Sequence, residues 1–120
     1  NRVPYYFKEP QHGDIVVFPE PFLYEKRYLI KRVIGLPGDV IAIRDGYVYR
    51  NDERLEEPYT DTLVENGDME PVTVTAGHVF VMGDNRHFGG SKDSRYFGLI
   101  KISALEGRVD FVIFPRPRLL

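Results

Sequence analysis

The sequence predicts an all-β domain, because short apolar runs rich in Val, Ile, Tyr and Phe recur along it and are separated by clusters of Gly, Pro, Asp and Asn. The periodicity of amphipathic helices is nearly absent. With 120 residues, of which 42% are hydrophobic and 28% charged, the chain is long enough to bury a core and too apolar to be disordered. We therefore expect one domain over residues 1–120.

Each strand is predicted where an apolar run meets turn residues at both ends. Asp45-Gly46 lies between the runs IAIR and YVYR, and this dipeptide suits the left-handed backbone of a two-residue hairpin turn. A single helical turn is predicted over residues 102–106. In chain order, the predicted strands cover residues 14–18, 28–34, 40–44, 47–50, 72–74, 78–82 and 106–114.

Residues 51–70 differ from the strands around them. The segment is acidic and irregular, and it shows no sustained alternation of apolar and polar residues. It is therefore predicted to be a surface insertion within the single domain.

Lys31 is the first candidate for chemistry, because it is the one cation among the aliphatic residues on its face of the predicted strand. Strand alternation places it on one face with Leu29 and Val33. A lysine acts as a general base only when it is neutral, and apolar neighbours lower its pKa by disfavouring the charged form. Arg32 cannot lose its proton and is assigned a supporting contact with a carboxylate. The alternative interpretation is an edge strand, in which lysine blocks pairing with other chains.

The second candidate region is the polar segment 82–98, which concentrates Asp, Arg, Asn, Lys and Ser between apolar flanks. Asp84 stands in a Gly-Asp-Asn turn directly after the run HVFVM. Asp93 and Arg95 can pair with each other or with the charges of Asp84, Arg86 and Arg32, so we expect a fixed network. The alternative is a solvated loop whose exposed ion pairs contribute little stability.

Composition excludes several classes of function. A net charge of -2 gives no reason to bind nucleic acid, and zero cysteines exclude disulfides and thiol catalysis. No apolar run approaches the roughly 18 residues of a membrane span. The three histidines are dispersed, and no Glu closes a calcium loop around the aspartates of segment 82–98. We therefore predict no metal and no cofactor.

Five segments, in this order, resemble the catalytic ectodomain of type I signal peptidases, which are membrane-anchored serine proteases that remove signal peptides from exported proteins. They are GDIVVF (13–18), YLIKRVIGLPGD (28–39), MGDNR (82–86), SKDSRYFG (91–98) and GRV (107–109). The resemblance covers nearly the whole chain. It implies a mainly β fold with an antiparallel, barrel-like catalytic core and a small inserted β region, shortened here to residues 51–70.

The resemblance also implies roles for individual residues. Lys31 would be the general base of a Ser-Lys dyad, and Ser91 would orient it through a hydrogen bond. Leu29 and Ile30 would line the groove that binds the substrate. The salt-bridge scaffold beneath the site would consist of Arg32, Asp84, Asp93 and Arg95.

The implied partners are secretory preproteins whose signal peptides carry small residues before the cut. The parent protein would sit in the bacterial cytoplasmic membrane through an anchor outside this chain, with the catalytic domain on the extracytoplasmic face. The chain by itself would be soluble.

The sequence departs from the family pattern at two places. The family's Ser-Met-x-Pro motif, which supplies the nucleophile, should lie upstream of YYFKEP, whereas every serine of this chain follows Lys31. We therefore expect a fragment truncated at its N-terminus, inactive as given because the attacking hydroxyl is missing. The second departure is HFGG between Arg86 and Ser91, a longer connection than usual, which a bulge at Gly89-Gly90 could absorb.

Two other functions are compatible with parts of the sequence. The self-cleaving domain of SOS-type repressors shares the Ser-Lys pair but would lack the GDNR and SKDSR segments. A non-catalytic β interaction or scaffold module related to signal peptidases would explain the missing serine, although retention of Lys31 and Ser91 argues against it.

Overall fold

The computed structural model describes residues 9–22, 27–60, 62–65, 67–86 and 92–109. This part of the chain forms two antiparallel sheets and very little helix, which confirms the predicted mainly β fold. None of the helical turns described has the length or apolar composition of a membrane-spanning helix. The elements are β1 (Ile15–Pro19), β2 (Tyr28–Gly35), β3 (Val40–Arg44), β4 (Tyr47–Arg50), β5 (Glu53–Arg54), β6 (Met69–Thr73), β7 (His78–Met82), α1 (Ser94–Phe97), β8 (Ile100–Lys101), a 3-10 turn (Ile102–Ala104) and β9 (Gly107–Val109).

The first sheet has the order β8-β7-β2-β1-β9, so that β2 lies between two other strands. Its pairing with β1 sets Lys31 opposite Val16, and its pairing with β7 sets Arg32 opposite Met82. The register shifts between Val33 and Gly35, which marks a bulge in β2. Strand β2 therefore supplies both cations of the predicted site from the middle of the sheet.

The second sheet has the order β5-β4-β3-β6 and lies between β2 and β7 in the sequence. Its central hairpin turns at Asp45 and Gly46, whose φ angles of 52° and 85° are both left-handed. Two successive left-handed residues suit a type I′ turn, and the predicted hairpin is confirmed.

Two apolar clusters form the core, one on each face of the first sheet. Ile34 and Phe80 pack with residues of the second sheet and so join the two sheets. Val33 and Val81 pack on the opposite face with β1, β8 and the following turn. Because both faces of β7 are covered, this strand is apolar along nearly its whole length, as seen in the run HVFVM.

Most predicted elements agree with the structure, with three differences. The strand predicted at residues 72–74 starts earlier, at Met69, because its pairing with β3 extends back to Ile43. The helical turn predicted at 102–106 is a shorter 3-10 turn. The last strand is observed at Gly107–Val109, and the rest of the prediction, residues 110–114, lies outside the described residues.

Candidate active site

Lys31 is buried in the first sheet. Its residue exposure is only 6%, and its cross-strand neighbour is the fully buried Val16. Alternation along β2 places it on the same face as Val33, which packs in the cluster containing Phe18. A lysine that blocks an exposed sheet edge would keep its ammonium in water. The burial of Lys31 therefore contradicts the edge-strand alternative.

This burial has an electrostatic consequence. Removal from water lowers the pKa of Lys31 from its ordinary value of 10.5, because desolvation disfavours the ammonium form. The negative charge of Asp93 partly offsets this effect, and the positive charge of Arg95 adds to it. Lys31 thus needs less alkaline conditions than a solvated lysine to become a neutral proton acceptor.

Arg32 forms an ion pair with Asp84 through two hydrogen bonds. This is one of the pairings that the sequence analysis considered. Nε of Arg32 donates to Oδ1 at 3.0 Å and Nη2 donates to Oδ2 at 2.8 Å. Its Nη1 also donates to the carbonyl of Gly13 at 3.3 Å, and its guanidinium carbon lies 4.0 Å from the ring centroid of Tyr59. This parallel geometry fixes the turn after β7 against β2.

Asp93 organises the other half of the site. It is fully buried and accepts bonds from Nε and Nη2 of Arg95 at 2.8 and 2.6 Å. Its Oδ1 accepts from the Arg95 amide at 3.0 Å, which caps α1, and its Oδ2 accepts from the Gly83 amide at 3.0 Å. One carboxylate therefore ties α1 to the end of β7, and the solvated-loop alternative is wrong for this part of the segment.

Of the two serines in the segment 91–94, the structure describes only Ser94. Ser94 is buried, and its hydroxyl accepts a hydrogen bond from the amide of Val81 at 2.9 Å. It therefore serves the backbone of β7. Ser91, the predicted orienting residue, and the Gly89-Gly90 pair lie outside the described residues.

Leu29 and Ile30 are half-buried residues at the start of β2. They pair with Phe18 and Val17 of β1. The pairing of β2 with β7 covers only Arg32 to Gly35, so among the described strands Leu29 and Ile30 have β1 as their sole partner. Within the part of the chain that the structure describes, one side of this half of β2 is therefore a sheet edge.

Sequence reasoning missed an ion pair that reaches the site from segment 51–70. Arg86 donates from Nη1 and Nη2 to the two carboxylate oxygens of Glu57, at 2.9 Å each. Tyr59 donates from its hydroxyl to Glu57 at 3.0 Å. An aromatic residue in an acidic segment was the only available signal, and nothing in the sequence pairs Glu57 with a residue 29 positions later.

A second missed carboxylate is Glu20, just after β1. Its side chain is 4% exposed, and Oε2 lies 3.3 Å from Nζ of Lys92. Nothing in the sequence indicates this pair, because Glu20 stands between two prolines and 72 positions before Lys92. The contact ties the loop after β1 to the start of the described segment 92–109.

Comparison with known proteins identifies the family. A family model described as signal peptidase, peptidase S26, matches residues 1–114. The chain belongs to the signal peptidase family. This confirms the resemblance seen in the sequence and favours it over the repressor alternative.

Individual members of the signal peptidase family are similar over nearly all of the chain. A probable signal peptidase I-1 of Synechocystis sp. is 38% identical over 125 residues, covering 98% of this chain. A signal peptidase I of Bacillus caldolyticus is 38% identical over 128 residues, covering 96% of this chain and 68% of its own length. The chain spans 61% of the length of the Synechocystis relative.

The fold agrees with a solved member of the family. The crystal structure of a signal peptidase I from Enterococcus faecalis V583 matches with a TM-score of 0.67 and 36% sequence identity. The match covers 85% of this chain and 97% of that one. The antiparallel β architecture described above is thus the architecture of a signal peptidase I.

Proposed function

We propose that the full-length protein is a serine endopeptidase that removes signal peptides from secretory preproteins, with Lys31 as general base. The observation that carries this proposal is the burial of Lys31 among apolar residues in a chain of the signal peptidase family. Signal peptidase I relatives at 38% identity support the reaction class. The parent protein would work at the bacterial cytoplasmic membrane, on its extracytoplasmic face.

The proposed reaction proceeds through an acyl-enzyme. A serine upstream of Lys31 in the full-length protein attacks the carbonyl carbon of the scissile peptide, and neutral Lys31 takes the hydroxyl proton. The C–N bond then breaks, and the ammonium of Lys31 returns this proton to the leaving amine. Water then attacks the ester in the same way, with Lys31 accepting its proton and giving it to the serine as the signal peptide departs.

The remaining predicted residues would assist this step without touching the reacting atoms. Ser91 would orient the amine of Lys31 through a hydrogen bond. Arg32 with Asp84, and Asp93 with Arg95, would hold the surrounding backbone in place. Their paired geometry supports this, since an ion pair with two bonds fixes both partners.

The substrate is proposed to bind as an added β-strand beside Leu29 and Ile30. The locally open side of β2 offers backbone groups for such pairing, and shallow pockets beside these residues would exclude large side chains. Selection for small residues before the cut would then be steric.

The direct test uses the full-length protein and a synthetic preprotein. Lys31→Ala is expected to abolish cleavage, because no other group would accept the serine proton, whereas Lys101→Ala, an exposed lysine on β8, should cleave like the wild type. Cleavage is followed by gel electrophoresis and mass spectrometry. Normal cleavage by Lys31→Ala would contradict the assignment, and an inactive wild-type protein would favour the interaction module.

The rate should also depend on pH with a defined sign. Protonated Lys31 cannot accept a proton, so kcat/KM should rise as pH rises through the lowered pKa of Lys31 and then level off. The midpoint of the rise should therefore lie below the ordinary lysine value of 10.5. A profile that is flat from about pH 6 to 10 would contradict a lysine base.

The 120-residue chain alone is expected to leave the same preprotein intact. All its serines follow Lys31. Of the described serines, Ser94 accepts a bond from the Val81 amide with its hydroxyl, and Ser103 is exposed. Cleavage by this chain alone would show that one of its own serines attacks.

A further inference from the structure

Arg86 is a buried cation whose position depends on residues outside the predicted site. Its residue exposure is 1%. Nε donates to the carbonyl of Gly83 at 2.6 Å, and both terminal nitrogens donate to Glu57 at 2.9 Å. A buried guanidinium is tolerated only when it is paired and its donors are satisfied. Glu57 therefore provides the negative charge that allows Arg86 to be buried, and the buried Arg86 bonds to the Gly83 carbonyl in the turn after β7.

Tyr59 connects this ion pair to the one beside Lys31. Its hydroxyl donates to Oε2 of Glu57 at 3.0 Å, and its ring lies 4.0 Å from the guanidinium carbon of Arg32. Burial raises the pKa of the Tyr59 phenol, so the hydroxyl remains a donor. The guanidinium of Arg86 is also within reach of the same ring, at 6.0 Å. One aromatic side chain thus contacts both cations of the network.

The turn that receives these contacts is the one on which the candidate site depends. Residues 83–86 carry Asp84, the partner of Arg32, and the Gly83 amide, which donates to Asp93. The carbonyl of Arg86 accepts a further bond from the Glu65 amide at 3.1 Å. Segment 51–65 therefore holds this turn through side chains and backbone.

From these contacts we propose that Glu57 and Tyr59 form a clamp that positions the catalytic site from within the segment predicted to be a surface insertion. The clamp fixes Arg86 through Glu57 and the guanidinium of Arg32 through the ring of Tyr59, and these two cations in turn fix the alignment of Lys31. Both are positioning residues, because neither would touch the substrate. The inference rests on the proposed function, since it assigns Lys31 the catalytic step.

The test compares Glu57→Gln with Glu56→Gln in the full-length protein. Glu56 is the matched control, a neighbouring glutamate with an exposed side chain. Glu57→Gln leaves Arg86 without its counter-charge, and displacement of the turn is expected to lower kcat by about tenfold or more, with KM within about twofold of wild type. Glu56→Gln should leave both constants unchanged.

Variants of Tyr59 distinguish loss of the clamp from misfolding of the protein. Tyr59→Leu removes the ring under Arg32 without stranding a buried charge, and it should also lower kcat. Tyr59→Phe keeps the ring and should retain more activity than Tyr59→Leu. Circular dichroism establishes that each variant is folded at the assay temperature. Folded Glu57→Gln and Tyr59→Leu proteins with wild-type kcat would overturn the clamp, even if their melting temperatures were lower.

An NMR titration of Lys31 separates the clamp from the proposed function. Loosening the turn should admit water and move the pKa of Lys31 up toward the ordinary value in Glu57→Gln, but not in Glu56→Gln. If the wild-type protein does not cleave preproteins, the proposed function fails and this titration alone decides the clamp. An unchanged titration would then overturn it.

Discussion

At the scale of residues, the distinctive feature of this chain is a lysine held where lysine is unfavourable. Lys31 occupies a buried β position opposite a fully buried valine, and its desolvation outweighs the attraction of nearby carboxylates. The same desolvation that prepares the amine to accept a proton also weakens the folded state, because the unfolded chain keeps its ammonium hydrated. With Lys31 in its proposed role as general base, activity and stability are therefore opposed at this residue.

Lys31→Met should stabilise the protein while removing its activity. The thioether side chain has a similar length and no charge to desolvate, so we expect a gain of about 1 kcal/mol in the free energy of unfolding at pH 7. Lys31 has a lowered folded pKa, so the unfolded state binds more protons between that value and 10.5, and wild-type stability rises with pH across this window.

The gain from Lys31→Met should accordingly shrink as pH approaches 10. Thermal or urea unfolding at the two pH values measures it, with Lys101→Met as the surface control. A variant less stable than wild type at pH 7 would mean that burial of this ammonium is not the dominant cost.

At the scale of elements, β7 and α1 act as one unit, although a polar loop separates them. The Asp93 carboxylate accepts from the Gly83 amide, and the Ser94 hydroxyl accepts from the Val81 amide, so two side chains of the helix start complete backbone bonds at the end of β7. These two bonds fix the start of α1 against the end of β7.

Ser94→Ala should test this unit. It leaves the buried Val81 amide without its acceptor, which is expected to cost about 1–3 kcal/mol of folding stability. Ser103→Ala, at an exposed serine of the 3-10 turn, should change stability by less than about 0.5 kcal/mol. Urea denaturation of both variants gives the comparison. Equal stability of the two variants would show that the Ser94 bond contributes nothing.

The elements also show how far sequence reasoning extends. The β3–β4 hairpin was predicted to the residue, because Asp45-Gly46 determines its turn locally. Helix α1 was not predicted, because four residues carry no periodicity and the cap at Asp93 makes sense only beside Gly83. The ion pair of Glu57 was not predicted for the same reason, since its partner Arg86 is distant in sequence. Structure determined by local turn residues could be predicted from the sequence, whereas contacts between residues distant in sequence could not.

At the scale of the whole molecule, the site depends on how the two sheets meet. Ile34, Phe80 and Met82 of the first sheet pack against the second sheet. Next to this core, the ion pair of Arg86 with Glu57 links the turn after β7 to the segment after β5. The apolar contacts and the ion pair therefore both fix the position of the second sheet relative to the first. A change in either should alter the position of Lys31.

Gly35, at the bulge of β2, packs closely against side chains of the second sheet and the residue that follows it. A Cβ there would meet Cγ1 of Ile41 at 2.9 Å and Cγ2 of Val74 at 3.0 Å, and both side chains are fully buried. Gly35→Ala should therefore cost about 1–3 kcal/mol in strain. This exceeds the gain of roughly 0.4–1 kcal/mol in stability that alanine brings by lowering the conformational entropy of the unfolded chain. By contrast, a Cβ at Gly107 would meet no described atom within 4 Å, so Gly107→Ala should be neutral or stabilising.

Melting temperature and cleavage rate, measured on both glycine variants of the full-length protein, test whether sheet packing controls the site. Gly35→Ala should lower both quantities, because the second sheet must shift away from β2, the strand that carries Lys31 and Arg32. If Gly35→Ala lowers the melting temperature but cleaves at the wild-type rate where it is folded, the packing between the sheets stabilises the fold without positioning Lys31. Equal melting temperatures for the two variants would instead show that the core yields to an added methyl group at this point.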